Sequence, residues 1–314
     1  MLRRKAKNAL VELTLKLPSG FRTSLFQRLM REETVSYEEF LETARRFNVS
    51  GLSVRGAYGE FHSTSSDAMV LMLYALRGTY ASETNSLLRE FFSKSGRGTY
   101  IDIGANIGLT TVPLAQDPNV LCIAIEPEPT NFRNLVRNVA DNCSHGNVTT
   151  LQKAVSFQKA TLELELDPAN LGDHRIRTTL EPGSQLEHTR QAIEVEALPL
   201  DDLVGPIEGP LAIKMDVQGA EPFVVAGGEN TLNQASLVIM EYWPYGMKRM
   251  GADFQSILEF LEPRFEVTYL SREGQTMVEG IDSSRALADL RDMAESKVSD
   301  PEFYVDIVAR REIH

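Results

Sequence analysis

Three blocks of the 314-residue chain carry residue types that can do chemistry. In the first, Tyr100-Ile-Asp-Ile-Gly-Ala-Asn-Ile-Gly, an apolar run containing Asp102 ends at Ile103, turns on Gly104 and opens a helix at Gly108. A glycine turn between a strand and a helix lets the backbone approach a nucleotide-like ligand. A dinucleotide fingerprint needs glycines two and five places after Gly104, where this chain has Asn106 and Leu109. A phosphate-cradling loop needs Gly-Lys-Ser or Gly-Lys-Thr, and neither follows. Dinucleotide and nucleoside-triphosphate sites are therefore disfavoured. The second block starts at Glu126, 22 residues after Gly104, where a carboxylate at the tip of the next strand can accept both hydroxyls of a ribose. With Asp102 facing a cation, the two acids suit S-adenosylmethionine, which has a ribose, positive centres and no phosphate. The third block, Leu211-Ala-Ile-Lys-Met-Asp-Val-Gln-Gly-Ala-Glu, puts Lys214 and Asp216 on one side of a strand near its C-terminal end, with Glu221 in the next helix's first turn. A lysine inside an apolar strand needs a partner, and Asp216 or Glu221 would supply it.

Methyl transfer to a hydroxyl is an in-line displacement at a sulfonium, so the protein must align the nucleophile, exclude water and remove a proton. Asp216 is the first candidate base and Glu241, at the end of the following strand, the second; Lys214 completes the catalytic set. A divalent metal on Asp216 and Glu241 is the alternative route to an acidic hydroxyl. Flanking residues extend the site. Tyr80 could reach the methionine end of the cofactor and Ala154 could border the adenine. Tyr242, Trp243 and Tyr245 could stack on a sugar ring, and His174 could lean over the site from a long loop.

The run Ile101-Asp-Ile-Gly-Ala-Asn-Ile-Gly, then Glu126-Pro-Glu-Pro-Thr-Asn-Phe-Arg-Asn-Leu-Val-Arg-Asn-Val, then Leu200-Asp-Asp-Leu, then Ile213-Lys-Met-Asp-Val-Gln-Gly-Ala-Glu resembles the FkbM-type S-adenosylmethionine-dependent methyltransferases. The four blocks lie within about residues 80–245. The resemblance implies a class I methyltransferase fold and methylation of an oxygen on a small-molecule or glycan acceptor, such as a sugar, glycolipid or polyketide-like product. It also implies a cofactor site at Asp102, Gly104, Asn106, Gly108 and Glu126, with Ala105 and Pro127 in the same segments. The family commonly has Glu where this chain has Gln218. A non-catalytic module that holds a nucleoside or sugar is the rival reading, and the intact Asp102, Glu126 and Asp216 oppose it.

Around these blocks the texture from residue 99 onward is that of short apolar strands alternating with helices. Strands are expected at 100–103, 120–126, 148–151, 211–216, 237–241 and 265–270, with a returning edge strand at 303–309. The expected fold is thus α/β: a doubly wound, mostly parallel seven-stranded sheet. Residues 157–198 break the rhythm and read as an inserted antiparallel pair joined by a long loop. Residues 1–78 form an expected helical cap that selects substrate, and 79–314 the catalytic domain. Within the cap, Ser36 and Glu39 would open one helix, 49–62 would form a hairpin, and Ser65 or Ser66, with Asp67, would open a second helix.

Composition fits this picture. The chain is 42% hydrophobic and 24% charged, an ordinary globular mixture. With 32 Lys and Arg against 44 Asp and Glu, the formal charge of −12 opposes binding to bulk nucleic acid. Two cysteines without a Cys-x-x-Cys spacing and no long apolar run lead to the expectation of a cytoplasmic protein. Residues 1–17 carry a basic amphipathic stripe that could rest on an anionic membrane, or dock on the protein itself. The residues leave the oligomeric state open.

Overall fold

A computed structural model describes residues 46–47, 49, 51–65, 67, 69–168, 170–179, 181–271, 276–278 and 281–312. The expected basic stripe over residues 1–17 and the helix opening at Ser36 lie outside the described residues, Arg46 and Phe47 excepted. The chain divides into two units, residues 1–80 with 168–172, and residues 81–167 with 173–314.

In the first unit, strands β1 (Gly51–Gly56) and β2 (Gly59–Thr64) form an antiparallel hairpin followed by the helix Val70–Arg77. The pivot is Tyr74, fully buried, edge-on to Phe61 and stacked on Tyr58, its hydroxyl donating to the Gly59 carbonyl at 3.0 Å. A Cβ on Gly56 would overlap that ring, so the hairpin can close on the helix only with glycine there. The helix is entered through Met69, and Asp67, two residues before it, accepts from the Val70 amide and the Ser63 hydroxyl.

The second unit is built on two sheets. Its strands are β3 (Gly98–Ile103), β4 (Val120–Ile125), β5 (Val148–Leu151), β6 (Ala154–Val155), β7 (Ala160–Leu166), β8 (Arg175–Ile176), β9 (Gln191–Leu198), β10 (Leu211–Met215), β11 (Ala235–Tyr242), β12 (Glu266–Ser271), β13 (Thr276–Met277) and β14 (Val305–Arg310). The larger sheet runs β13-β12-β14-β11-β10-β3-β4-β5. From β5 to β11 the strands are parallel; β14 is antiparallel to both β11 and β12. The result is the expected α/β sheet in mixed form, with eight strands rather than seven because the two-residue β13 pairs at the edge.

The central strand β3 is buried at all six positions, which is why it reads as a continuous apolar run. Its side chains alternate between two cores. Ile101 and Ile103 join Ile213, Met215, Val238 and Met240 on one face, and Tyr100 joins Ala212, Leu237 and Ile239 on the other. The smaller sheet, β6-β9-β7-β8, contains the expected antiparallel pair, β7 with β9, paired from Ala160 opposite Ala197 to Leu166 opposite Gln191. Its two outer strands are two residues long, too short to show a period in sequence.

Candidate active site

The parallel strands β3, β4, β10 and β11 end on one edge, the edge where open α/β sheets bind ligands. The turn after β3 is fixed from three sides. Gly104 and Ala105 donate their amides to the Ile125 carbonyl at 2.9 and 3.0 Å, and Asp216 donates its amide to Ile103 at 3.0 Å. Gly104 has a φ of +80°, and a Cβ there would overlap the Asp216 carbonyl oxygen. Gly108, at φ +92°, faces Leu135 of the helix Pro129–Asn142, whose methyl would lie 2.9 Å from an added Cβ. At Gly104 backbone packing and the positive φ both demand glycine, and at Gly108 the positive φ favours it. The helix expected from Gly108 starts only at Thr111.

Glu126, at the tip of β4, is buried, and its two oxygens take one amide each: Asn106 to Oε2 and Glu128 to Oε1, both at 2.9 Å. Asn106 sits at φ +51°, a left-handed conformation that asparagine tolerates. Burial pushes the Glu126 carboxyl up to about 7 against these hydrogen bonds. Each oxygen keeps a second lone pair for a further donor. Half-buried Pro127 follows, and Glu128 caps the next helix by accepting from Asn131 at 2.6 Å. Asp102 is placed differently from expectation. It is fully buried, accepts the Thr110 and Thr111 hydroxyls at 2.7 and 2.6 Å, and has Lys214 Nζ 3.8 Å away. The cation it faces is the protein's own.

Beside it lies a carboxylate cluster. Asp216 has about a third of its side chain exposed, with Lys214 Nζ 3.4 Å from Oδ2 and the Gln218 amide donating to Oδ1 at 2.7 Å. The same amide donates to Glu241 Oε2 at 3.1 Å. Gln218 is held at φ +55°, and a glutamate at this position could not donate to both acids. Glu241 lies opposite Asp306 across the β11–β14 pair. Burial, then the Asp216, Glu221 and Asp306 carboxylates, pushes Glu241 well above the carboxylate range. Burial and Asp216 push Asp306 up to about 7.

Glu221, expected near the substrate, is fully buried behind the turn. Its oxygens accept the Val217 and Gly219 amides at 2.8 and 3.0 Å, and burial pushes it up to about 8. It shapes the turn that carries Gln218. The aromatic expectation is also corrected. Tyr242 is fully buried in the main core, while Trp243 is buried, donates to the Pro301 carbonyl at 3.0 Å and is covered by the Arg175 guanidinium 4.4 Å from its ring centre. Neither offers a face to a sugar. Ala154 is buried where β6 pairs with β9, in the smaller sheet. His174 Nδ1 accepts the Asp167 amide at 3.1 Å, and burial lowers its pKa although the nearby Glu128 carboxylate opposes this. Tyr80 ends the first unit, its carbonyl accepting the Tyr58 hydroxyl at 3.2 Å.

The structure therefore brings together Asp102, Gly104, Ala105, Asn106, Glu126, Lys214, Asp216 and Glu241, and adds Thr110, Thr111, Gln218 and Asp306. Of these, Gln218 was marked by its departure from the family's usual Glu and Asp306 by its place in the alternating run 303–309, while Thr110 and Thr111 carried no signal of a role. Among the described residues, no group of three or more His, Cys, Asp or Glu is disposed to hold a metal ion. No helix of the described residues is long and apolar enough to cross a membrane.

Several known proteins are similar to this chain. A hexuronic acid methyltransferase, AglP of Haloferax volcanii, is 27% identical over 178 residues, 55% of this chain and 66% of its own length. The alignment leaves about a third of that relative unmatched. Among solved structures, an FkbM methyltransferase from Methylobacillus flagellatus matches 55% of this chain and 40% of its own at 15% identity and a TM-score of 0.38. A caffeoyl-CoA O-methyltransferase assigned in Staphylococcus aureus matches 93% of this chain and all of its own at 11% identity and a TM-score of 0.38. At those scores the two structures carry no weight for function. The model of the methyltransferase FkbM domain matches residues 102–270, more than half of the chain and all of the strand-tip site except Asp306. By that match the chain belongs to the FkbM methyltransferase family.

Proposed function

We propose that this protein transfers a methyl group from S-adenosylmethionine to an oxygen of a sugar-type acceptor. The observation that carries the reading is the strand-tip edge itself: a buried glutamate with spare lone pairs at β4, and one lysine among the carboxylates of Asp102, Asp216, Glu241 and Asp306. That surplus of acid suits a cofactor with a ribose and two positive centres. Glu126 would hold the ribose, and Asp216 would face the cationic part. S-adenosylmethionine would supply an electrophilic methyl on its sulfonium. Family membership and the likeness to a hexuronic acid methyltransferase support an oxygen acceptor on a sugar.

The protein's part is orientation and proton removal. Burial and the neighbouring carboxylates push Glu241 well above the carboxylate range and oppose its ionisation, so it is a poor first base. Asp216 is partly exposed and ion-paired, and can take the acceptor's proton as the new bond forms. Lys214 anchors Asp102 and Asp216, and Gln218 fixes the Asp216 carboxylate by donating to it. Residues 1–78 are assigned to acceptor selection, and deleting them should relax acceptor preference.

Titration calorimetry tests the reading. One-site binding of S-adenosylmethionine and S-adenosylhomocysteine, with NAD inert, is expected. Glu126→Ala should weaken it by about 1.5–3 kcal/mol, the range for hydrogen bonds to a charged group. No binding to the wild-type protein would reject the reading in favour of a non-catalytic sugar- or nucleoside-binding module.

A further inference from the structure

The helix Pro129–Asn142 turns a polar face inward. Its buried side chains are Asn131, Leu135 and Asn138, and both asparagines are at most 1% exposed. Helices usually bury an apolar stripe, and asparagine is both a weak helix former and an amide that costs free energy to bury without a partner. An inward face of this kind needs a purpose on the other side. What the helix faces is the turn after β3: Leu135 lies against Gly108, and Asn138 donates Nδ2 to the Ile107 carbonyl at 2.8 Å.

The contact at Ile107 leads back to Glu126 in two further steps. The Ile107 amide donates to the Asn106 side-chain oxygen at 2.8 Å, and the Asn106 amide donates to Glu126 Oε2 at 2.9 Å. Asn106 keeps its left-handed φ of +51° between these bonds. The other oxygen of Glu126 is tied to the same helix more directly. Glu128, whose amide donates to Oε1 at 2.9 Å, is also the residue that caps the helix. One helix thus sets both donors of the glutamate that would hold the ribose, Oε1 through its cap and Oε2 through Asn138. A carboxylate fixed in this way need not be ordered when a ligand arrives, which is how preorganisation raises affinity.

We propose that Asn138 is a positioning residue for the cofactor: through Ile107 and Asn106 it fixes the Glu126 carboxylate so that both ribose hydroxyls can donate to it. The proposal rests on the methyl-transfer reading. It adds to that reading a fully buried side chain that acts only through the backbone of the turn and the Asn106 side chain.

The test is a double-mutant cycle in S-adenosylhomocysteine binding, measured by calorimetry on the full chain with Asn138→Leu, Glu126→Ala and the two together. Leucine is close to asparagine in size and cannot donate. Asn138→Leu should weaken binding about fivefold, the worth of one neutral hydrogen bond, and should change it by less than about twofold when Glu126 is already alanine. Additive losses would mean that Asn138 serves the turn but not the glutamate, and would overturn the proposal; so would unchanged affinity in a folded Asn138→Leu. If that variant does not melt cooperatively, Asn106→Gly takes its place in the cycle, because glycine keeps the left-handed step while removing the link to Ile107. The same non-additivity then supports the proposal, and additive losses or unchanged affinity overturn it. Wild-type protein that binds no S-adenosylhomocysteine, or that loses nothing on Glu126→Ala, would instead break the reading on which the proposal rests.

Discussion

Glu187 and Glu221 are both fully buried, yet their protons behave in opposite ways. Burial pushes each carboxyl up. At Glu187, in the inserted segment, backbone amides, the Tyr245 hydroxyl at 2.8 Å and Arg249 outweigh it and lower the group from its ordinary value. At Glu221, behind the strand tips, two amides are opposed by Asp216, and the group rises to about 8. Glu221 is the more deeply desolvated of the two, and the company each glutamate keeps adds to the difference. In the inserted segment both buried acids have an arginine, Glu187 meeting Arg175 and Arg249 and Glu165 meeting Arg177, and half-buried Asp173 meets Arg175 and Arg190. At the strand tips several carboxylates share Lys214. Balanced burial fixes a loop's geometry, whereas a surplus of one sign leaves protons loosely placed, as proton transfer and cation binding require.

The largest effect that could break this contrast is catalytic. Asp216→Asn should reduce methyl transfer by about 10²–10⁴-fold, the usual worth of a general base, with S-adenosylmethionine affinity nearly kept. Retained turnover would remove Asp216 from the chemistry. On the balanced side, Glu187→Gln removes the carboxylate that half-buried Arg249 faces and one partner of buried Arg175, which keeps Asp173, and should cost about 3–5 kcal/mol in denaturant unfolding. The matching Glu221→Gln should cost only about 1–3 kcal/mol, because it leaves one of two turn amides without an acceptor. Equal costs would erase the distinction.

The smallest effect is a pH slope, and its sign is unusual. A carboxyl whose folded pKa lies above its unfolded value keeps, in the folded protein, a proton that the unfolded chain has released. For Glu126 and Asp306, raised to about 7, and Glu221, raised to about 8, stability should therefore fall as pH rises from about 4.5 to about 8. Glu187 works the other way, its contribution lost only as pH falls below about 4.5. Denaturant midpoints across pH 5 to 8 should decline, and Asp306→Asn should flatten the decline by at most one proton's worth. A rising midpoint would refute the raised values.

Much of this was legible before folding is considered. The apolar runs of β3, β10 and β11 are buried almost throughout on both faces and β4 is buried on one, so each is marked in sequence, and Glu126, Asp216 and Glu241 stand at or just beyond strand ends where the chain must turn. What could not be read was orientation. Asp102 sits one residue before the end of β3, and a period of two sends its side chain inward to Thr110 and Thr111. The Tyr242-Trp243-Tyr245 cluster looks like a sugar platform only while its neighbours are unknown, since Arg175, distant in sequence, covers the tryptophan.

Sequence by itself determined the alternation of strands and helices, the acids at the strand ends and the family, because burial on two faces and turn chemistry write local patterns. Tertiary structure alone decided which charges balance. Arg249 reaches Glu187 and Glu181 from another part of the chain, Asp306 meets Glu241 across an antiparallel pair, and Gln218 bridges two acids. Electrostatic character depends on separations of a few ångströms between residues far apart in sequence, and no local pattern encodes those distances.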